Sequence, residues 1–199
     1  MYSSDYFRVT DRKVLVDFIA DHPFGILVSG LGGLAATHLP FLIHERGEKL
    51  ILSGHMALAN NQWKDLDGSD VLVIFNGPDA YISPLWIPEK VPVPTWNYIT
   101  VHANGIFSIL GREERNRVVK DLVGKFEGDG GFSDRVEEDA YQKMLEGTVG
   151  FNIVVSVIEG KWKLSQNRPL ESRKKIIDGL RSSGDPGDLE IASEMTKTI

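Results

Sequence analysis

The sequence predicts a mainly β protein with flanking helices, built on an antiparallel sheet or barrel. Two observations predict it. Strand-like runs follow one another closely, at 24–29, 34–45, 49–52, 71–75, 80–83, 95–110 and 149–159. Turn chemistry separates most of them, rather than long helices, which disfavours a doubly wound parallel sheet. The second observation is alternation. In 34–45, Thr37, Leu39, Phe41 and Ile43 fall on one face, and Ala36, His38, Pro40, Leu42 and His44 on the other. In 95–110, Ile99, Val101 and Ala103 share a face, opposite Tyr98, Thr100, His102 and Asn104.

The elements follow in order. Thr10 or Asp11 caps a first helix carrying Val14, Leu15, Phe18 and Ile19, which Pro23 ends. Gly30, Gly32 and Gly33 turn the chain around Leu31, without dinucleotide-binding spacing. Pro40 offers no ladder donor and predicts an edge or a bulge. Arg46-Gly47-Glu48 closes a hairpin, and Asp67-Gly68-Ser69 and Asn76-Gly77-Pro78-Asp79 are read as turns. Residues 84–94 carry four prolines, so they form an ordered loop anchored by Trp86 and Ile87. Gly105 marks a bulge or bend. A helix over 111–126 presents Val119, Leu122, Val123 and Phe126, and a glycine turn follows at 128–131. A short helix over 138–145 turns Tyr141, Met144 and Leu145 inward. Gly160 breaks the last strand, a basic helix spans 172–181, and the tail from Asp188 is a small helix or loose.

Composition bounds the function. A chain of 199 residues suits one domain, or one with an appendage. With no cysteine, disulfides, thiolate catalysis and cysteine metal sites are excluded. A net charge of -6 disfavours a surface coated for nucleic acid. No run is long enough to span a bilayer, and residues 1–13 lack a signal core, so a cytoplasmic protein is expected.

The stretch 53–66, SGHMALANNQWKDL, is the richest in groups that bind rather than pack. It reads as strand, glycine break, short helix, then strand, and polar groups at such a junction can face a phosphate or a ring. The bland reading is a connecting helix with Trp63 and Leu66 as its core face. His38, His55 and His102 would need neighbouring strands to hold zinc, and no HExxH pair exists, so histidines at a pocket rim are preferred and no metal is expected. Ser53 and His55 fall on opposite faces of a local turn, and no G-x-S-x-G elbow exists, so no catalytic residue is assigned. Trp63, Trp86, Trp96 and Trp162 can wall a flat aromatic ligand or close the ends of a barrel. Arg173, Lys174, Lys175 and Arg181 make a basic helix face. No second helix completes a helix-turn-helix, so DNA contact has no recognition helix behind it.

Several phrases carry a family resemblance. They are Met1-Tyr2 with Phe7, Pro23-Phe24-Gly25, ATHLPFLI at 36–43, SGHMALANNQW at 53–63, VLVIFNGPDAYISPLW at 71–86, VPTWNYITVHANG at 93–105 and KLSQNR at 163–168. Together they resemble the PaiB-type FMN-binding negative transcriptional regulators over most of the chain. The resemblance implies an antiparallel split β-barrel of the pyridoxamine-phosphate-oxidase type. It implies a barrel domain at 1–170 with inserted helices at 112–146, and a helical extension at 171–199. It also implies a homodimer with FMN near the subunit interface.

Carried onto this chain, the resemblance places the flavin against Thr37, His38 and Leu39, then Ser53, Gly54, His55, Asn60, Gln62, Trp63 and Lys64. Trp96, Asn97, Gln166 and Asn167 come from the partner or the far rim. Ser53 and Thr37 would donate to phosphate, Lys64 would supply charge, and Trp63 or Trp96 would cover a ring face. The implied function is an FMN-binding repressor. The alternatives are an FMN-dependent oxidoreductase on a small molecule, and a haem-binding split barrel in which His38, His55 or His102 matters more.

Overall fold

The computed structural model describes residues 1–30, 32–90, 92–128 and 136–199. The expected turns at Leu31 and at 129–131, and Val91 in the proline-rich loop, lie outside the described residues. The chain opens with β1 (Arg8–Val9), α1 (Arg12–Asp21), β2 (Phe24–Ser29), β3 (Ala35–Pro40), β4 (Leu42–Arg46) and β5 (Lys49–Ala57). A 3-10 helix, Asn61–Asp65, leads to β6 (Asp70–Ile82), and a second, Pro84–Trp86, precedes β7 (Thr95–Ile109). Then come α2 (Arg112–Glu127), α3 (Glu138–Glu146), β8 (Thr148–Lys163), α4 (Leu170–Ser183) and α5 (Pro186–Thr196).

The strands form one sheet in the order β3-β2-β6-β7-β8-β5-β4, with β1 added on β8. The pairs β1–β8, β2–β3, β2–β6, β4–β5 and β5–β8 are antiparallel. The two ends of this order, β3 and β4, are joined through Phe41 alone. A sheet whose ends are covalent neighbours must curl back toward itself.

Two compact units divide the chain. One comprises 16–75 and 102–158. Its core is aromatic: Phe41, Phe75, Phe107 and Phe151 are fully buried. The Phe41 ring meets Phe75 and Phe151 edge-on, at 5.5 and 6.0 Å, and Phe107 stacks on Phe151 at 4.7 Å. Glycine makes room for these rings. A Cβ at Gly25 would meet the Phe75 ring, and one at Gly54 would meet the Phe151 ring, at 2.8 and 2.7 Å. On α2, Val118 and Leu122 pack with Leu42, while Val119 packs with Tyr141 and Leu145 of α3.

The other unit comprises 1–15, 76–101 and 159–199. Here α4 packs on α5, with Ile176, Ile177 and Leu180 on one helix and Ile191, Ala192 and Met195 on the other buried. Trp86 packs against Gly179, where a side chain would strike its indole. Asp185 caps α5 by accepting from the Gly187 and Asp188 amides.

Several expectations are corrected. Residues 34–45 form two strands, because the break at Phe41 shifts the alternation and buries both Phe41 and Leu42. Gly54 does not break β5, since it sits in the β8 ladder opposite Phe151. Residues 76–79 lie within β6 rather than in a turn; the β2 ladder ends at Phe75, so Pro78 costs no bond there. Gly105 sits within an unbroken β7, where the Val154 carbonyl leaves no room for a side chain. Gly160 continues β8, pairing with Val9 at a point crowded by Leu15 and Trp162. Phe126 and Met144 are exposed, and Val118 takes the inward place on α2. The tail forms α5.

Candidate functional site

The predicted site residues fall into three groups. The first is a polar clasp at the 3-10 helix Asn61–Asp65. Asn60 caps this helix by accepting from the Gln62 amide at 3.0 Å. The Gln62 side chain reaches the β2–β3 hairpin. Its Nε2 donates to Leu27 O, Ser29 Oγ and Ala35 O at 3.2, 3.1 and 3.3 Å. Its Oε1 accepts from Thr37 Oγ1 at 2.5 Å, and Asn60 Nδ2 donates to the same Thr37 oxygen at 3.0 Å. Thr37, Asn60 and Gln62 thus bond to one another and fix the helix to the hairpin. Trp63 Nε1 donates to Leu58 O at 3.1 Å. Lys64 is exposed, with no ion-pair partner among the described residues. On β3, Leu39 points into the core, and His38 stands exposed with its ring 6.2 Å from Phe24.

The second group lies on β5. Ser53 and His55 share one face of the strand, correcting their expected opposition, because residues two apart on a strand point the same way. Their cross-strand partners on β8 are Asn152 and Gly150. Ser53, 3% exposed, donates to Asn152 Oδ1 at 2.6 Å. His55 Nδ1 is buried and has no hydrogen-bond partner among the described residues. Burial also pushes the His55 pKa down, so the ring is neutral near pH 7. The backbone of Arg115 on α2 passes Gly150 closely, 2.9 Å from where a Cβ would sit. Beside α2 this face encloses a cavity of about 300 Å³, lined by His44, Ile51, Ser53, Arg117, Asp121 and Asn152 among others. Burial lowers the His44 pKa; Asp121 opposes that shift and Arg46 adds to it.

The third group lies in the other unit. Asn97 is fully buried, accepting from Ser165 Oγ at 3.1 Å and donating to Met195 Sδ at 3.3 Å. Gln166 closes its own turn: its Nε2 donates to Trp162 O at 2.6 Å, and its Oε1 accepts from Leu164 N at 2.8 Å. This turn puts Ser165 at φ +61°, a left-handed conformation. Asn167 lines a pocket of about 200 Å³ with Lys163, Arg168 and Thr95. Lys163 donates to Thr95 Oγ1 and to Trp96 O. Its pKa is lowered by burial, then by Lys161 and Arg168. The Trp96 ring is 52% exposed and meets Tyr81 edge-on at 5.8 Å.

Trp63 belongs to one unit and Trp86, Trp96 and Trp162 to the other. Among the described residues no group of three or more histidine, aspartate or glutamate side chains could hold a metal. No described helix is long and apolar enough to cross a membrane. Sequence reasoning missed Asn152 and Lys163. Asn152 carried a readable signal, being a lone amide inside an apolar strand. The role of Lys163 depends on contacts distant in sequence.

A family model described as "Putative FMN-binding domain" matches residues 1–157. The chain belongs to this PaiB-type FMN-binding domain family. It is 34% identical over 200 residues to "Protease synthase and sporulation protein PAI 2" of Bacillus subtilis (strain 168), covering 98% of this chain and 96% of that protein. The fold is similar to that of the flavocytochrome Anf3 from Azotobacter vinelandii, with a TM-score of 0.64, 14% identity, and 81% and 72% of the two chains covered. It is also similar to an FAD- and haem-binding protein from Mycobacterium smegmatis, with a TM-score of 0.62, 14% identity, and coverage of 89% and 80%. The fold is thus the antiparallel split barrel with flanking helices that the sequence predicts.

Proposed function

We propose that this chain binds FMN and acts as a regulatory protein, working as a homodimer. The geometric observation that carries the flavin reading is His55 Nδ1, a buried polar atom with no partner among the described residues. Such an atom is costly unless a ligand or water completes it. It lies on β5, the strand that leads into the clasped 3-10 helix. The donor set suits a phosphate. The neutral His55 ring would donate to it from an Nδ1–H tautomer, and exposed Lys64 would supply charge. His38 and Trp63 would border the ring, on a platform held by Thr37, Asn60 and Gln62, while Leu39 packs in the core beneath it. The flavin itself supplies one- or two-electron chemistry; these residues bind and orient it.

The regulatory reading is supported by family membership and by the B. subtilis relative, whose name refers to protease synthesis and sporulation. Arg173 donates to Thr198, and Lys175 pairs with Glu171, so two basic side chains of α4 are already engaged. We therefore assign regulation to flavin occupancy rather than to a groove-reading helix. The homodimer is supported by Phe24, Ile106 and Val157, exposed apolar residues on β2, β7 and β8.

Titrating FMN while following its fluorescence tests the flavin site. Wild type is expected to quench the dye saturably, and His55→Ala and Lys64→Ala to weaken binding. Equal affinity in all three proteins would remove these residues from the site. Rapid reduction of bound FMN by NADH would favour the oxidoreductase reading instead.

A further inference from the structure

The cavity beside α2 has features that the flavin reading does not use. Its floor is the Ser53–Asn152 pair. Ser53 Oγ–H donates to Asn152 Oδ1, which leaves Asn152 Nδ2 as a donor with no partner among the described residues. One stretch of wall is apolar, formed by Ile51, Leu110 and Val118. The rest carries both signs of charge. Arg46 and Arg117 are the cations and Glu45, Glu114 and Asp121 the acids, and Arg46, Arg117, Glu114 and Asp121 have no ion-pair partner among the described residues. His44 adds no cation near neutrality, because burial disfavours its charged form.

A ligand matching this lining needs a carboxylate for Asn152 Nδ2 and an arginine. It needs an ammonium for the acids and a short apolar body for Ile51, Leu110 and Val118. A cavity of about 300 Å³ holds a molecule of that size. A phosphate ester would set its charge against Glu114 and Asp121, and a polyamine would set its charge against Arg46 and Arg117. A molecule carrying both charges satisfies both walls.

We propose that the cavity between α2 and the β4–β5–β8 face is an effector site for a small zwitterionic amino acid with an aliphatic side chain. Arg117 and Asn152 hold its carboxylate, and Asp121 and Glu114 hold its ammonium. Ser53, which the family resemblance places against the flavin, is engaged with Asn152 here, and His55 lies two residues along the same face of β5, so FMN retention in the variants below separates the two sites. An effector cavity in a regulatory protein gives a second input beside the flavin.

The test is an NMR titration of the full chain with millimolar L-leucine, and with isocaproate and isoamylamine, which each lack one charge. Leucine is expected to shift the Asn152 side-chain amide and the Ser53 and Val118 backbone amides saturably. Each analogue is expected to bind at least about tenfold more weakly, as loss of one charge-assisted contact predicts. Arg117→Gln and Asp121→Asn change exposed positions on α2, so folding is expected to survive, and each should weaken leucine about tenfold. Absence of a saturable shift would overturn the proposal, as would isocaproate binding as tightly as leucine or full affinity in both variants. FMN retention is measured on the same variants. It is expected to be unchanged, and its loss would assign the cavity to the flavin site instead.

Discussion

Thr37 Oγ1 donates to Gln62 Oε1 at 2.5 Å, and the same hydroxyl accepts from Asn60 Nδ2 at 3.0 Å. One threonine on β3 thus ties down both the cap and the first turn of the 3-10 helix that follows β5. Gln62 extends the tie to β2 through Leu27 O and Ser29 Oγ. These side chains are the frame of the site rather than its free donors.

Gln62→Ala should therefore act on stability first. It strands the Thr37 hydroxyl and three acceptors, and the expected loss is about 1–3 kcal/mol. For a chain of this length that lowers the melting temperature by about 2–4 °C per kcal/mol. Thermal unfolding followed by circular dichroism checks this. A variant as stable as wild type would show that water replaces the clasp at no cost.

Gly54→Ala should be destabilising by about 1–3 kcal/mol, the usual cost of overpacking a core. Its methyl group would sit 2.7 Å from the Phe151 ring. Phe151→Leu in the same chain should recover part of the loss, because the shorter side chain gives way. Urea midpoints of the single and double variants measure the coupling. Strict additivity would contradict the contact.

The same two residues explain what the sequence could and could not show. The alternation in the middle of β7 was readable because Ile99, Val101 and Ala103 are apolar and buried between the partly exposed Tyr98, His102 and Asn104, whereas buried Asn97 and exposed Ile106 depart from the pattern. Gly54 reads locally as a break, and only its β8 partner Phe151 reveals that the glycine keeps the strand running. Gly77-Pro78 likewise reads as a turn, and whether it is one depends on where the β2 ladder stops. In the site, Asn60 and Gln62 stood out as polar groups near a junction, and Thr37 entered only through the family resemblance. That they bond to each other is a fact of hairpin packing between residues more than twenty positions apart. Ser53 and Asn152 meet only through the β5–β8 register.

Acidification should destabilise the protein partly through His55 and His44. Burial holds both pKa values below the ordinary 6.5, so the folded state resists a proton that the unfolded chain accepts. Stability from these groups is full above that unfolded value and is lost as pH falls below it toward the lower folded-state pKa values. His55→Gln should flatten this slope in urea unfolding at a series of pH values. FMN should raise the His55 pKa in NMR titrations if the phosphate lies beside it. An unchanged pKa with FMN bound would move the phosphate elsewhere.

Asp185→Ala should uncap α5 at a cost of about 0.5–2 kcal/mol. The Gly187 and Asp188 amides would lose their acceptor. Faster hydrogen exchange across α5, with the Asn97–Met195 contact loosened, is the expected signature. Unaltered exchange would show that packing of Ile191, Ala192 and Met195 on α4 holds the helix alone.

Flavin binding is decided by whether FMN stays with the protein through a sizing column. Purified protein is mixed with excess FMN, passed through gel filtration, and examined by visible absorption. The protein peak is expected to carry a flavin spectrum, with close to one FMN per chain and less retained by His55→Ala. A colourless protein peak, with all the FMN eluting as a small molecule, would contradict it.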